Sequence, residues 1–162
     1  MLKLNTKEEN LDLLNNLTRL INIYYYDGPI VVLYNDIRNN DLYIVDWIDH
    51  DDIYNRWLVY KVTKEKLLQF LNKQVDELRL FNMSNEYYII DVKDEFKFSQ
   101  LFNIDIDDIP FKYYPVPIFY DEDNEETTKG LKFILNNLDV RKHNSPIINE
   151  IMNEITQKNI CH

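Results

Sequence analysis

Four apolar and aromatic runs between Leu20 and Val62, separated by short polar breaks of which the first is Asp27-Gly28-Pro29, constrain this chain more than any other feature. The runs Ile21 to Tyr26, Ile30 to Tyr34, Leu42 to Ile48 and Trp57 to Val62 are rich in β-branched and aromatic residues and bounded by Asp, Asn or Gly, which predicts strands. Connections this short make neighbouring strands antiparallel. In the third run, Tyr43, Val45 and Trp47 fall on one face and Leu42, Ile44, Asp46 and Ile48 on the other, so both faces are expected to be covered. Asp46 is the exception on its face and must reach the strand end or find a donor.

The flanking segments predict helices. Thr6 with Glu9 fits a capping box ahead of Leu13, Leu14, Leu17, Leu20 and Ile21 at helical spacing. Thr63 can cap a helix carrying Leu67, Leu68 and Leu71, and Val75 to Leu80 either extends it or forms a second short helix. A further strand is expected at Tyr87 to Val92. Pro110, Pro115 and Pro117 then interrupt the aromatic run from Phe111 to Tyr120 and restrict it to edge strand or extended loop. Two helices are expected to close the chain, one with Leu131, Ile134, Leu135 and Leu138, and one begun by Ser145-Pro146. The expectation is a single α+β domain over residues 1–162. It has a central antiparallel meander of four to six strands, an N-terminal helix, a helix after the fourth strand and two C-terminal helices.

The pattern Tyr25-Tyr26-Asp27-Gly28-Pro29, then Leu42-Tyr43-Ile44-Val45-Asp46-Trp47, then Arg56-Trp57-Leu58-Val59 with a helix after Thr63, resembles a bacterial domain family of unknown function over the first half of the chain. The resemblance implies an α+β domain found in bacteria and their mobile elements, and brings no activity with it.

Composition excludes several function classes. With only Gly28 and Gly130, neither a P-loop nor a dinucleotide fingerprint can be assembled, and no cofactor is expected. Cys161 is the sole cysteine, so an internal disulfide framework and a Cys-based zinc cluster are excluded, and beside His162 it lies too near the terminus for a triad. No apolar window is long enough for a membrane span and no signal-peptide pattern opens the sequence, which predicts a cytoplasmic protein. The formal charge is −10, and residues 103–126 hold eight acids against one base, Lys112. A field of that sign disfavours direct nucleic-acid binding, which needs Lys and Arg on the phosphates, and favours a basic partner or solubility.

Asp46, Asp49, His50, Asp51 and Asp52 combine carboxylates with an imidazole, so Asp46, Asp49, His50 and Asp52 are candidate ligands for a hard cation in a hydrolase or nuclease. A solvated acidic loop is the competing reading, because all lie in or beside one loop. Asp121 to Glu126 fails as a calcium loop, with Glu126 where Gly belongs and Lys132 where the bidentate acid belongs. The aromatic residues suggest an interface: Tyr24 to Tyr26, Tyr87 with Tyr88, and Tyr113 with Tyr114 are consecutive, and adjacent strand residues point to opposite faces. The alternative is that helices cover both faces and each tyrosine is buried with its hydroxyl bonded. Asp105 and Asp107 on an extended strand could space charges loosely like a phosphate backbone. The function expected from these features is protein binding through Tyr25, Tyr87, Tyr113, Asp105, Asp107, Asp121, Asp123, Glu125 and Glu126. That fits an inhibitor or regulator of a bacterial protein in phage–host or defence conflict, with a self-associating homodimer as a further alternative.

Overall fold

The computed structural model describes residues 1–25, 28–93, 98–121 and 125–138, with the backbone alone at 25, 29, 98, 99 and 125–127. It is an α+β fold built on a six-stranded sheet whose spatial order is the chain order. The strands are β1 (Leu17–Tyr25), β2 (Pro29–Asp36), β3 (Leu42–His50), β4 (Tyr54–Val62), β5 (Tyr87–Lys93) and β6 (Phe98–Asn103). All five pairings are antiparallel. Helices α1 (Leu11–Asn16), α2 (Lys64–Leu71), α3 (Glu77–Asn82) and α4 (Glu125–Asn136) complete the described fold. The expected helix from Ser145 lies outside the described residues.

The alternation read along β3 is realised. Leu42 and Ile44 join the larger core with Leu33, Leu58, Tyr60, Ile89 and residues of α2, α3 and α4, while Tyr43 and Val45 join a smaller one with Val59, Tyr88, Ile90, Leu101 and Leu13 of α1. Thr63 caps α2 by accepting the Lys66 N–H at 3.2 Å. Residues 75–80 do not extend α2: Lys73 at φ 61° breaks the chain direction, and Asp76 caps α3 by accepting the Arg79 N–H at 2.8 Å.

The N-terminal expectation is corrected. The helix is capped by Asn10, whose side chain accepts the Leu13 N–H at 3.0 Å, and it ends at Asn16. Leu17, Leu20 and Ile21 belong to β1, and a bulge between Arg19 and Ile21 turns the consecutive Leu20 and Ile21 into the same core. Thr6 and Glu9 cap nothing, because residues 7–10 run along the outer edge of β6. There the Lys7 N–H donates to Asn103, the Asn103 N–H to Glu8 and the Asn10 N–H to Leu101. An edge strand has backbone groups to satisfy, and this extended segment satisfies them.

That pairing fixes the shape of the sheet. Asn10 beside β6 and Leu17 at the start of β1 are joined by one six-residue helix, which rises only about 10 Å from the first of these residues to the second. In a flat sheet six strand spacings would hold them about 29 Å apart. The sheet is therefore strongly coiled, and its register shifts in β1, between Trp47 and Asp49 and between Asp91 and Val92 supply the bends.

Gly28, between β1 and β2, sits at φ +145°, and a Cβ there would meet no atom of the described residues within 4 Å. The conformation, not crowding, selects glycine. Gly28→Ala is expected to lower unfolding free energy by about 1 kcal/mol, read as a shifted urea midpoint with unchanged slope.

Candidate functional site

The chain between β6 and α4 is a pinned segment that displays apolar side chains. Its inward residues Ile109, Tyr113, Pro115 and Tyr120 are buried, while Phe111 is 84% exposed and Val116, Ile118 and Phe119 are each more than half exposed. Of the two expected alternatives, edge strand or extended loop, the run from Phe111 to Tyr120 takes the second, opened by the 3-10 turn Phe111–Tyr113 and preceded by another at Ile106–Asp108. The prolines explain why: Pro110, Pro115 and Pro117 withhold ladder donors and preset φ for turns. The Ile118 N–H donates to Val116 at 2.8 Å, a tight turn about Pro117 that sends the flanking side chains outward.

Three sets of contacts hold this segment. The Tyr113 hydroxyl donates to Asp49 at the end of β3. Beside it Arg56, itself buried, forks onto its cross-strand neighbour Asp91 at 2.8 and 3.1 Å and donates a third hydrogen bond to the Leu2 carbonyl. The Tyr113 hydroxyl holds the Asp49 carboxylate below its ordinary range, against the opposing pull of partial burial. Burial pushes the Tyr113 hydroxyl up, and the Asp49 charge adds to that. Second, the Glu77 N–H donates to the Ile118 carbonyl at 3.1 Å, tying the displayed stretch to α3. Third, Tyr120 packs its ring on Phe70 and Tyr24 at 5.4 and 6.0 Å and pairs its hydroxyl with Thr128 at 3.2 Å. Phe111 stands outside this scaffold, its ring 5.0 Å from Tyr114, which leans on Phe81 at 4.7 Å.

The tyrosines predicted as anchors are placed otherwise. Tyr87 is buried, its hydroxyl donating to Phe81 at 2.6 Å and Ser84 at 3.0 Å, and burial pushes that hydroxyl up to about 12. Tyr113 is buried as described. These two are corrected from partner-binding to structural residues, because the sheet is covered on both faces and each hydroxyl finds an internal acceptor. The Tyr25 side chain lies outside the described residues. Asp105 is exposed and pairs with Lys7 at 2.8 Å, and with Asp107 and Glu86 it borders a polar groove of about 360 Å³. Both acids belong to a 3-10 turn and its cap, so the strand-like charge spacing is also corrected. Asp121 is exposed. Asp123 and the side chains of Glu125 and Glu126 lie outside the described residues.

The candidate cation ligands are not brought together. Asp46 turns into the larger core against Glu77, Asp49 takes the Tyr113 hydroxyl, His50 stacks on Trp47 at 5.2 Å, and Asp52 is exposed. Asp51 accepts the Ile53 and Tyr54 N–H groups at 2.8 and 2.7 Å, closing the turn. Among the described residues no three His, Cys, Asp or Glu side chains converge as a metal site requires. Nor, among the described residues, is any helix long and apolar enough to cross a membrane.

Glu77, Arg56 and the exposed residues 116–119 carry the arrangement without having been singled out as site residues in the sequence. Glu77 was detectable: it shares a helical stripe with the buried Leu80 and Phe81, where an acid is out of place. Comparison with protein-family models, with curated proteins and with solved structures finds no match.

Tyr113→Phe is expected to cost about 1.5 kcal/mol, the low end for one hydrogen bond to a charged acceptor because the Asp49 side is partly solvated. A carboxylate whose folded pKa is lowered stabilises above its unfolded pKa and loses that contribution as pH falls through the folded one. Removing the hydroxyl should therefore narrow the stability gap between the two proteins as pH falls below the carboxylate range, measured by urea unfolding at several pH values.

Proposed function

We propose that this chain is a small protein-binding module that docks the Phe111–Phe119 stretch onto a partner protein carrying basic groups, and so acts by occupancy as an inhibitor or regulator. The observation that carries this reading is the display itself. Four large apolar side chains stand more than half exposed on one stretch that is anchored by the buried Tyr113 and Pro115 and by hydrogen bonds to Asp49 and Glu77. A chain that only needed solubility would gain by replacing them with polar residues, whereas aromatic anchors held in advance lower the ordering cost of binding. The exposed acids Asp105, Asp107 and Asp121 flank the stretch in sequence and suit a basic rim on the partner, where they would steer association more than tighten it.

The test compares wild type with Phe111→Ser/Phe119→Ser and with Asp105→Lys/Asp107→Lys/Asp121→Lys. Both phenylalanines are exposed, so the serine variant is expected to keep its stability to within about 0.5 kcal/mol. Bacterial proteins captured by the wild type should be lost from the serine variant, with a fall in affinity of about tenfold or more. The lysine variant should associate more slowly, and wild-type association should slow with added salt. Identical capture by all three proteins would reject the reading. Sedimentation at several concentrations adds the remaining outcome, since self-association abolished by the serine substitutions would make a second copy the occupant.

A further inference from the structure

The Asp46 and Glu77 carboxyls meet between β3 and the first turn of α3, hydrogen-bonded to each other, on residues 8% and 6% exposed. Two carboxylates facing each other in a medium of low polarity cannot both stay ionised, and the stable form shares a proton. Among the described residues, the one charged group that bears on Asp46 is Glu77, and the one that bears on Glu77 is Asp46. Around them, Tyr60 of β4 is fully buried with a hydroxyl that has no hydrogen-bond partner among the described residues, and it faces both carboxyls, Tyr87 of β5 and Tyr24 of β1. One Glu77 carboxyl oxygen likewise has no partner among the described residues. On α3, Asp76 is engaged in the helix cap and Arg79 is exposed. Burial pushes both carboxyls above their ordinary range, Asp46 further because the Glu77 charge faces it.

Glu77 also has a second attachment. Its backbone N–H holds the Ile118 carbonyl at 3.1 Å. One residue therefore joins the acid pair to the displayed stretch.

We propose that the proton shared by Asp46 and Glu77 is a latch for the Val116–Phe119 display. With the proton in place, the start of α3 lies against β3 and Glu77 holds Ile118. When the proton leaves, two like charges face each other without a cation, the first turn of α3 withdraws, and the stretch loses its tether. The sign follows from linkage: groups whose folded pKa is raised stabilise the closed form at low pH, and that stabilisation is lost as pH rises through the folded value. The latch rests on the protein-binding reading for its consequence, since what it regulates is that surface.

Hydrogen exchange of the Glu77 and Ile118 amides, corrected for intrinsic rate, tests the latch in wild type, Asp46→Asn and Glu77→Gln from about pH 5 to about pH 9. Asparagine or glutamine at one position keeps the shape and removes one of the two charges, so that the remaining carboxyl meets an amide instead of a like charge, and two variants guard against one failing to fold. In wild type, protection is expected to fall by up to about tenfold per pH unit from the ordinary carboxylate range up to the raised value of the pair, and to level off above it, while each variant falls less. Protection that is level in wild type, or that falls equally in the variants, overturns the latch. The readout needs no partner, so level exchange would leave the binding reading standing. Loss of all partner capture with pH-dependent exchange intact would do the reverse.

Discussion

Period-two alternation along β3 and β4, the two central strands, divides the molecule into two apolar faces, and the remaining elements are placed by the need to cover them. The larger face takes α2, α3, α4 and the proline-bracketed segment; the smaller takes α1. Because both faces are covered over the centre of the sheet, adjacent tyrosines such as Tyr87 and Tyr88 both lie inside. What the fold leaves exposed is then set by backbone chemistry. Between Pro110 and Pro117 the chain cannot join a ladder, so it turns inward at some residues and outward at the rest.

Buried charge is handled in two different ways on the larger face. Arg56 and Asp91 compensate one another by a forked ion pair across neighbouring strands. Asp46 and Glu77 carry the same sign, so burial there is tolerated only through a shared proton. The first arrangement joins β4 to β5 beside Tyr113, and the second sits under the junction of α3 with the displayed stretch. The segment between them is thus held at one side by opposite charges and at the other by a neutralised pair.

The sheet was legible because its signal is local: alternation in Leu42 to Ile48, the Asp-Gly-Pro break, and the Thr63 cap all depend on neighbours in sequence. The start of the chain was misread for the opposite reason. Leu13, Leu14, Leu17, Leu20 and Ile21 satisfy a helical spacing, yet the bulge after Arg19 and the distant edge of β6 decide the outcome, and neither is written in the segment itself. The candidate site was only partly visible. The acidic surplus and the proline-broken aromatic run mark residues 103–121 as unusual, but the division of that run into buried Tyr113, Pro115 and Tyr120 and exposed Phe111, Val116, Ile118 and Phe119 depends on partners supplied by β3, α2, α3 and α4. Asp46 was recognised as misplaced on its face; that its answer would be another acid, from a helix far along the chain, has no local trace.

The closing of β6 by residues 7–10 bears on how the molecule assembles. Each strand pairs with its sequence neighbour, so the meander can zip one hairpin at a time, with a long connection to close only between β4 and β5, where α2 and α3 intervene. The pairing of Lys7 to Asn10 with Leu101 to Asn103 is the exception, since its partners are separated by most of the described chain. Its closure entropy makes it a late step in folding and an early one to reopen. Because this arm covers the outer edge of β6, its release would leave the backbone groups of Leu101 and Asn103 unpaired at a sheet edge.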